Sequence, residues 1–312
     1  MKLLITEAEH FSAKAIADLK QQVEVRIGNI QTREELLSKS ADCEVLFIRL
    51  GFAMDREIID NAKNLKCILT ATTGLDHIDV NYFESRGGKV ISLKNEVEFL
   101  GSIPSTAEHT WGLILTLLRK IPSAFQHVKQ GGWDRNPFKG NNLKGKKLGI
   151  LGLGRVGKQV ARFAEAFDME VGFYDTKSIA SNYLKFDTPE ALFQWAEIIT
   201  IHIPLSEENT NFVKKSMFEN TKSPFIINTS RGAVWNENDM AMLLKEGKLS
   251  GLATDVIVHE LDSDNRNSNP MMALANQNYN VIITPHIAGA TFESMSMTEE
   301  FITQKFLEQL KK

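Results

Sequence analysis

A chain of 312 residues, 43% hydrophobic and 24% charged, carries enough apolar content for one large core or two ordinary ones, and is neither apolar-poor enough for disorder nor apolar enough for a membrane bundle. A formal net charge of −3 with no run of like charges gives no electrostatic reason to expect nucleic acid. The longest apolar block near a helix, residues 111–118, is too short to cross a bilayer, so no membrane partner is expected.

From the N-terminus, short apolar runs at 2–5, 23–27, 45–48, 68–71 and 89–92 read as strands. Helical segments separate them, opening on capping Ser12, Thr32 and Asp55. Strands alternating with short helices predict parallel βα units, so the first hundred residues form an α/β layer of their own, without a glycine fingerprint. The opening MKLLITE lacks a secretory pattern, and Cys43 and Cys67 sit in or beside apolar strands. Two reduced core thiols in a cytoplasmic protein are therefore expected, with neither a disulfide nor a metal site. A longer helix over 104–121, with Pro104 at its start and an apolar face of Ala107, Trp111, Leu115 and Leu118, is expected to bridge two lobes. The segment 130–142, with Trp133, Pro137 and Phe138, reads as a surface loop or a partner contact.

The stretch 147–175, KLGILGLGRVGKQVARFAEAFDMEVGFYD, predicts strand, glycine turn, helix and strand. Gly152, Gly154 and Gly157 have the spacing G-x-G-x-x-G, which suits a tight turn, backbone approach to a pyrophosphate and close packing of helix on strand. Asp175 closes the second strand 18 residues after Gly157, where a carboxylate accepts from ribose hydroxyls and repels a 2′-phosphate. NAD is therefore favoured over NADP, with Lys177 a small counterweight. The α/β rhythm continues with a helix at 189–196, strands at 198–203, 225–228, 251–257 and 280–284, a helix at 236–245 and a closing helix at 291–310. Such doubly wound sheets bind ligands beyond the carboxyl ends of their strands, where His202, Thr229, Arg231, Asp255 and His286 fall.

Moving a hydride at a carbon beside a carboxylate needs an anion clamp, a proton donor and a group that tunes the donor. Arg231 offers the planar fork, His286 the imidazole and Glu260 the carboxylate that can raise its basicity. His259 is the rival imidazole, read as structural or solvent-facing. These residues lie within ordered motifs: TATTGLDHIDV at 70–80, STAEHT at 105–110, KKLGILGLGRVGKQVA at 146–161, INTSRGAV at 227–234 and ITPHIAGAT at 283–291. Together they resemble the D-isomer-specific 2-hydroxyacid dehydrogenase family, over most of the chain.

The resemblance implies an α/β protein of two doubly wound parallel-sheet domains. A Rossmann NAD-binding domain at 101–286 is inserted in a flavodoxin-like substrate domain formed by 1–100 and 287–312, and closure of the two would exclude water. It implies an NAD-dependent oxidoreductase interconverting a D-2-hydroxy acid and its 2-keto acid, with 3-phosphoglycerate and the glycerate–hydroxypyruvate couple among the candidates, working as a homodimer. Arg231, Glu260 and His286 become the catalytic set, with Glu260 the family's 29 residues after Arg231. Arg155 and Val156 give amides to the pyrophosphate, Thr229 and Pro204 line the nicotinamide side, and Asp255 matches the position that meets the nicotinamide amide. Thr73 and Gly74 bind the substrate carboxylate through their amides, and Arg49 matches a cleft arginine whose blander role is an ion pair. Leu261 stands where the family commonly has proline, and 93–100 lacks the usual small-residue hinge. The alternative reading is a dinucleotide-sensing regulatory protein of the same fold, as in the family's corepressor relatives.

Overall fold

The computed structural model describes residues 1–311. Two compact units emerge, the first from Met1–Ile103 together with the chain from Ala290 onward, the second from Pro104–Gly289. The sequence reading put these boundaries three residues earlier in each case, at 100/101 and 286/287.

The first unit contains β1 (Lys2–Ile5), α1 (Ala13–Lys20), β2 (Glu24–Ile27), α2 (Arg33–Ser40), β3 (Val45–Ile48), α3 (Arg56–Asn61), β4 (Cys67–Thr70), α4 (Val80–Ser85), β5 (Lys89–Ile91) and α5 (Val97–Gly101). Its sheet is parallel, in the order β2-β1-β3-β4-β5, the flavodoxin-like arrangement. Strand alternation sorts its core into two faces. Leu3, Ile5, Val45, Phe47 and Leu69 meet α1 and the C-terminal helix through Ala15, Leu19, Ile302 and Phe306. Leu4, Leu46, Ile48 and Ile68 meet Leu36, Ile58, Ile59 and Phe83 on the other side. Burial on both faces is why VLFI reads as an unbroken apolar run and CILT is polar only at its last residue. Ser12, Thr32 and Asp55 cap their helices through side-chain oxygens. Both cysteines are buried and free, and burial pushes the Cys67 thiol up to about 12.

The second unit runs α6 (Ser105–Leu118), α7 (Ile121–Lys129), β6 (Lys147–Leu151), α8 (Arg155–Ala166), β7 (Glu170–Tyr174), β8 (Leu184–Lys185), α9 (Pro189–Trp195), β9 (Ile198–Ile201), β10 (Phe225–Asn228), α10 (Glu237–Lys245), β11 (Gly251–Thr254), α11 (Ser263–Ser268), α12 (Pro270–Asn276) and β12 (Val281–Ile283). The chain then returns to the first unit as α13 (Phe292–Leu310), capped by Thr291. The parallel sheet has the order β12-β11-β10-β9-β6-β7-β8, so successive strands run outward on either side of β6. That makes β6 the switch point, where such sheets leave a crevice. On one face α6 and α8 pack through Trp111, Ile114, Leu117, Val160 and Ala164. On the other, α9, α10 and α12 pack through Phe193, Leu243, Leu244, Met271 and Leu274.

Two local expectations change and two further features appear. The helix expected to bridge two lobes belongs to the second unit and stops at Leu118, because Lys120 turns left-handed at φ 53° and a new helix opens with Pro122 in its first turn. The segment 130–142 holds a 3₁₀ turn, Asn136–Phe138. The two-residue β8 pairs with β7 and carries no sequence signal of its own. The polar stretch after Leu261 folds into α11 and α12, each started by an Asx cap at Asp262 and Asn269. No helix of the described residues is long and apolar enough to cross a membrane.

Candidate active site

Strand register aligns the site. Tyr174 pairs with Leu151, Leu151 with Ile201, Ile201 with Asn228, Asn228 with Thr254, and Thr254 with Ile283. The next residue on each strand is therefore, in spatial order, Asp175, Gly152, His202, Thr229, Asp255 and Thr284. One edge of the sheet thus carries the glycine fingerprint and the chemistry-bearing residues side by side.

At the β6 end, Gly152 sits at φ +94°, a conformation that side chains rarely adopt. A Cβ on Gly157 would lie 2.2 Å from the Gly152 carbonyl oxygen, so only glycine lets α8 start this close to the strand. Apart from its own chain neighbours, no described residue comes within 4 Å of the place a Gly154 Cβ would take, and no side chain caps α8. The first-turn amides, those of Arg155 and Val156 among them, therefore face a cradle that fits a pyrophosphate. Asp175 accepts from the Leu153 amide at 2.9 Å and from the Lys177 amide at 2.9 Å, tying the glycine turn to the end of β7. The residues present fit a dinucleotide. Pro204 is exposed beyond β9, and Asn209 donates to its carbonyl at 2.8 Å. His202 leaves β9 with its Nε2 enclosed and unpaired, and burial pushes it down to about 3, so it stays neutral and is unsuited to donating protons.

Beyond β10, Thr229 meets Thr110 of α6 hydroxyl to hydroxyl at 2.9 Å. Asn228 braces the next turn, donating to the Arg231 carbonyl at 3.0 Å and accepting from the Ser230 amide at 2.9 Å. The Arg231 guanidinium donates from Nη1 to the Ser230 carbonyl at 2.8 Å. The backbone of Gly232 runs against Ile257 and Val258, where a Cβ would lie 2.2 Å from the Ile257 carbonyl carbon. This contact brings the Arg231 turn beside the segment that leads to Glu260.

Glu260 and His286 are joined directly: Nδ1 of the imidazole bonds Oε1 of the carboxylate. The carboxylate accepts, so Nδ1 carries hydrogen and Nε2 is the nitrogen left to exchange a proton. Both side chains are partly exposed, at 23% for His286 and 30% for Glu260, as a site open to a ligand requires. Arg266 of α11 donates to the Glu260 carbonyl at 2.6 Å. Glu237, at the start of α10, accepts from the Val258 amide at 2.9 Å and from the Asn269 side chain at 2.8 Å, clipping together both ends of the excursion that holds Glu260. Burial raises the Glu237 carboxyl above its usual range, opposed by these two bonds.

Asp255 is only 1% exposed. Its carboxylate accepts from the Ile287 amide at 2.9 Å and the Ala288 amide at 2.7 Å, as well as from Thr284, so it is turned into the turn that carries His286. Burial alone would raise this carboxyl, but bonds from His109, Thr284, Ala288 and Ile287 outweigh it and hold it below the usual range. Sequence reasoning quoted His109 within STAEHT without giving it a role, and passed over Glu237, Asn269 and Arg266. For Glu237 and Asn269 the signal is contact between segments far apart in the chain, which no local pattern carries, and for Arg266 it is the fold of α11 back onto Glu260.

In the first unit, Thr73 and Gly74 follow β4, and Thr72 closes their turn by donating to the Gly74 carbonyl at 2.8 Å. Arg49 follows β3, but its guanidinium is engaged within the unit. It donates to Glu299 of α13 from Nε at 3.1 Å and Nη2 at 2.5 Å, and to the Glu9 carbonyl at 2.9 Å. Glu299 also accepts from the Ser12 amide at 2.8 Å. This geometry favours the ion-pair role for Arg49 over the substrate role.

Comparison with known proteins agrees with the fold and the fingerprint. The sequence model for the D-isomer specific 2-hydroxyacid dehydrogenase NAD binding domain matches residues 111–288. The D-3-phosphoglycerate dehydrogenase of Archaeoglobus fulgidus is 37% identical over 94% of this chain and 54% of its own length. The glyoxylate reductase of Thermofilum pendens is 33% identical over 90% of this chain and 82% of its own. Among solved structures, the TT0316 protein from Thermus thermophilus superposes with a TM-score of 0.84 at 27% identity, covering 100% of this chain and 97% of that one. The chain spans about half the length of the phosphoglycerate dehydrogenases it matches. With the family's NAD-binding domain matched over more than half of its residues, and a relative aligned over most of both lengths, the chain belongs to the D-isomer specific 2-hydroxyacid dehydrogenase family.

Proposed function

We propose that this protein is an NAD-dependent oxidoreductase that interconverts a D-2-hydroxy acid and its 2-keto acid. The observation that carries the proposal is the bonded Glu260–His286 pair on the sheet edge that also bears the dinucleotide fingerprint. NAD, when bound, supplies or accepts the hydride at C2. In the reducing direction the guanidinium of Arg231 clamps the substrate carboxylate and polarises the keto oxygen, and His286 Nε2 gives the proton that completes the hydroxyl. Glu260 fixes the tautomer and the orientation of the ring.

Thr73 and Gly74 enter the proposal as amide donors to the substrate carboxylate, on the strength of the TATTGLDHIDV motif. Arg49 enters it as an anchor of α13. The relatives named D-3-phosphoglycerate dehydrogenase and glyoxylate reductase make phosphorylated and small 2-keto acids the substrates to try first.

The test is NADH and NADPH oxidation against 3-phosphohydroxypyruvate, hydroxypyruvate, glyoxylate and pyruvate. Turnover with at least one acid is expected, NADH preferred, falling about 10²- to 10⁴-fold in His286→Ala. NADH binding without turnover of any acid, unchanged by His286→Ala, would instead favour a dinucleotide-sensing protein.

A homodimer in the cytoplasm completes the proposal. Helix α7 buries none of its residues and exposes Ile121, Phe125 and Val128, while Trp133 beyond it is 90% exposed. Such a patch suits a second copy of the chain. A monomer by light scattering at micromolar concentration would remove the dimer. Two buried free thiols fit a reducing compartment.

A further inference from the structure

The turn that presents His286 is held in an unusual way. His286 itself is left-handed, at φ 55°, a conformation that costs a non-glycine residue about 1 kcal/mol or more and persists only where its surroundings impose it. Three consecutive amides converge on one residue to impose it: His286 N on the Asp255 carbonyl at 2.8 Å, Ile287 N on Oδ1 and Ala288 N on Oδ2. Behind Asp255 stands His109 of α6. Its Nε2 lies 3.0 Å from the Thr284 hydroxyl oxygen and 3.3 Å from Asp255 Oδ1. Thr284 has one hydroxyl hydrogen and gives it to Asp255, so its oxygen must accept, and His109 Nε2 must carry the hydrogen that it receives.

We propose that His109 is a positioning residue for the reaction: by donating to Thr284 and Asp255 it fixes the turn that aims His286. The inference deepens the dehydrogenase reading and rests on His286 being the proton donor. His109 donates to both ends of the turn, Thr284 where it leaves β12 and Asp255 where its amides converge. Without that donor the Thr284 hydroxyl is free to rotate away from Asp255, and the carboxylate loses two of its four donors. The amides of Ile287 and Ala288 then carry the turn alone. A proton donor misplaced by a fraction of an ångström still binds substrate and dinucleotide but transfers its proton poorly.

Three variants of the full chain test this: His109→Phe, which removes the donor and keeps a ring; His109→Gln, whose amide can reach the same oxygens; and Thr284→Val, which removes the relay in near-equal volume. Each is first checked for cooperative thermal unfolding. Expected for His109→Phe is a kcat for the preferred keto acid about 10- to 100-fold lower, with KM and NADH affinity within about twofold. The Ile287 and Ala288 amide proton resonances should move upfield as their bonds to Asp255 lengthen. His109→Gln should recover most of kcat and both resonances, and Thr284→Val should resemble His109→Phe. Should His109→Phe fail to fold, Thr284→Val against His109→Gln gives the same contrast. Unmoved amide resonances in the donor-removing variants overturn the tether, whatever the turnover. Unchanged kcat despite moved resonances overturns the link to His286. A wild-type protein that reduces no keto acid, with donor-removing variants that still show the resonance shifts, leaves the tether standing and removes the dehydrogenase reading instead.

Discussion

Arg49→Met should destabilise the first unit by about 3–5 kcal/mol, the cost of leaving a buried charge without its partner. The magnitude follows from the environment of Glu299, whose side chain is 1% exposed and accepts from Arg49 and Ser12. Burial pushes this carboxyl above its ordinary value of 4.5, and the bonds from Ser12 and Arg49 only partly offset that. Without the guanidinium, the folded state must keep an uncompensated carboxylate or take up a proton, at about 1.4 kcal/mol for each pH unit above the carboxyl's pKa. A folded-state pKa above the unfolded one adds stability that is complete below the unfolded value and lost as pH rises through the folded value. The deficit of the variant should therefore be larger at pH 8 than at pH 5. Urea unfolding measures it, followed by far-UV circular dichroism and by tryptophan fluorescence in parallel. Trp111, Trp133, Trp195 and Trp235 all lie in the second unit, so a loss confined to the first shows in the dichroism transition before the fluorescence one. Arg49→Met with Glu299→Leu should regain most of the loss, because no buried charge is then orphaned. A dichroism transition within about 1 kcal/mol of wild type at pH 8, the range of an exposed pair, would refute the reasoning. A raised KM in that same stable variant would return Arg49 to the substrate.

Gly232→Ala forces a Cβ to within 2.2 Å of the Ile257 carbonyl carbon, so the Arg231 turn and the Glu260 segment must separate. A loss of about 1–3 kcal/mol in thermal stability and a fall in kcat beyond what that loss explains are expected; wild-type kcat would count against the contact. Asp175→Ala should weaken NADH binding about tenfold, the worth of a charge-assisted bond, while weakening NADPH binding less, as read by fluorescence titration of both dinucleotides. Equal losses would place Asp175 in loop support alone, through its bonds to Leu153 and Lys177. Trp133→Ala should raise the dimer dissociation constant measured by sedimentation, and an unchanged constant would move the proposed interface elsewhere.

Much of the fold was legible because its signals are local. VLFI is apolar without interruption, and IITI and FIIN nearly so, since parallel strands are covered on both faces, and capping Ser, Thr and Asp mark where helices start. The fingerprint was legible because steric demands at Gly152 and Gly157 leave little choice of residue. The Asx caps at Asp262 and Asn269 were equally local, yet DSDNRNS lacks an apolar stripe, and periodicity was the stronger cue in the reading. What stayed hidden is held by contacts far apart in the chain. Arg49 finds Glu299 across 250 positions, and His109 finds Thr284 across 175. A motif could pick out Arg49 as an exposed-looking cation, but only the fold brings a buried carboxylate to it.

The path of the chain also sets an order of synthesis. Helix α13 supplies Ile302 and Phe306 to the core of the first unit and Glu299 to Arg49, and it is made after every element of the second unit. The part of the first sheet's face that α1 leaves to Ile302 and Phe306 therefore waits while all of Pro104–Gly289 leaves the ribosome. The second unit has every element it needs at that moment and can fold first. The N-terminal unit is thus the later one to mature, and a ribosome stalled before Glu299 would display a finished dinucleotide domain tethered to an unfinished sheet.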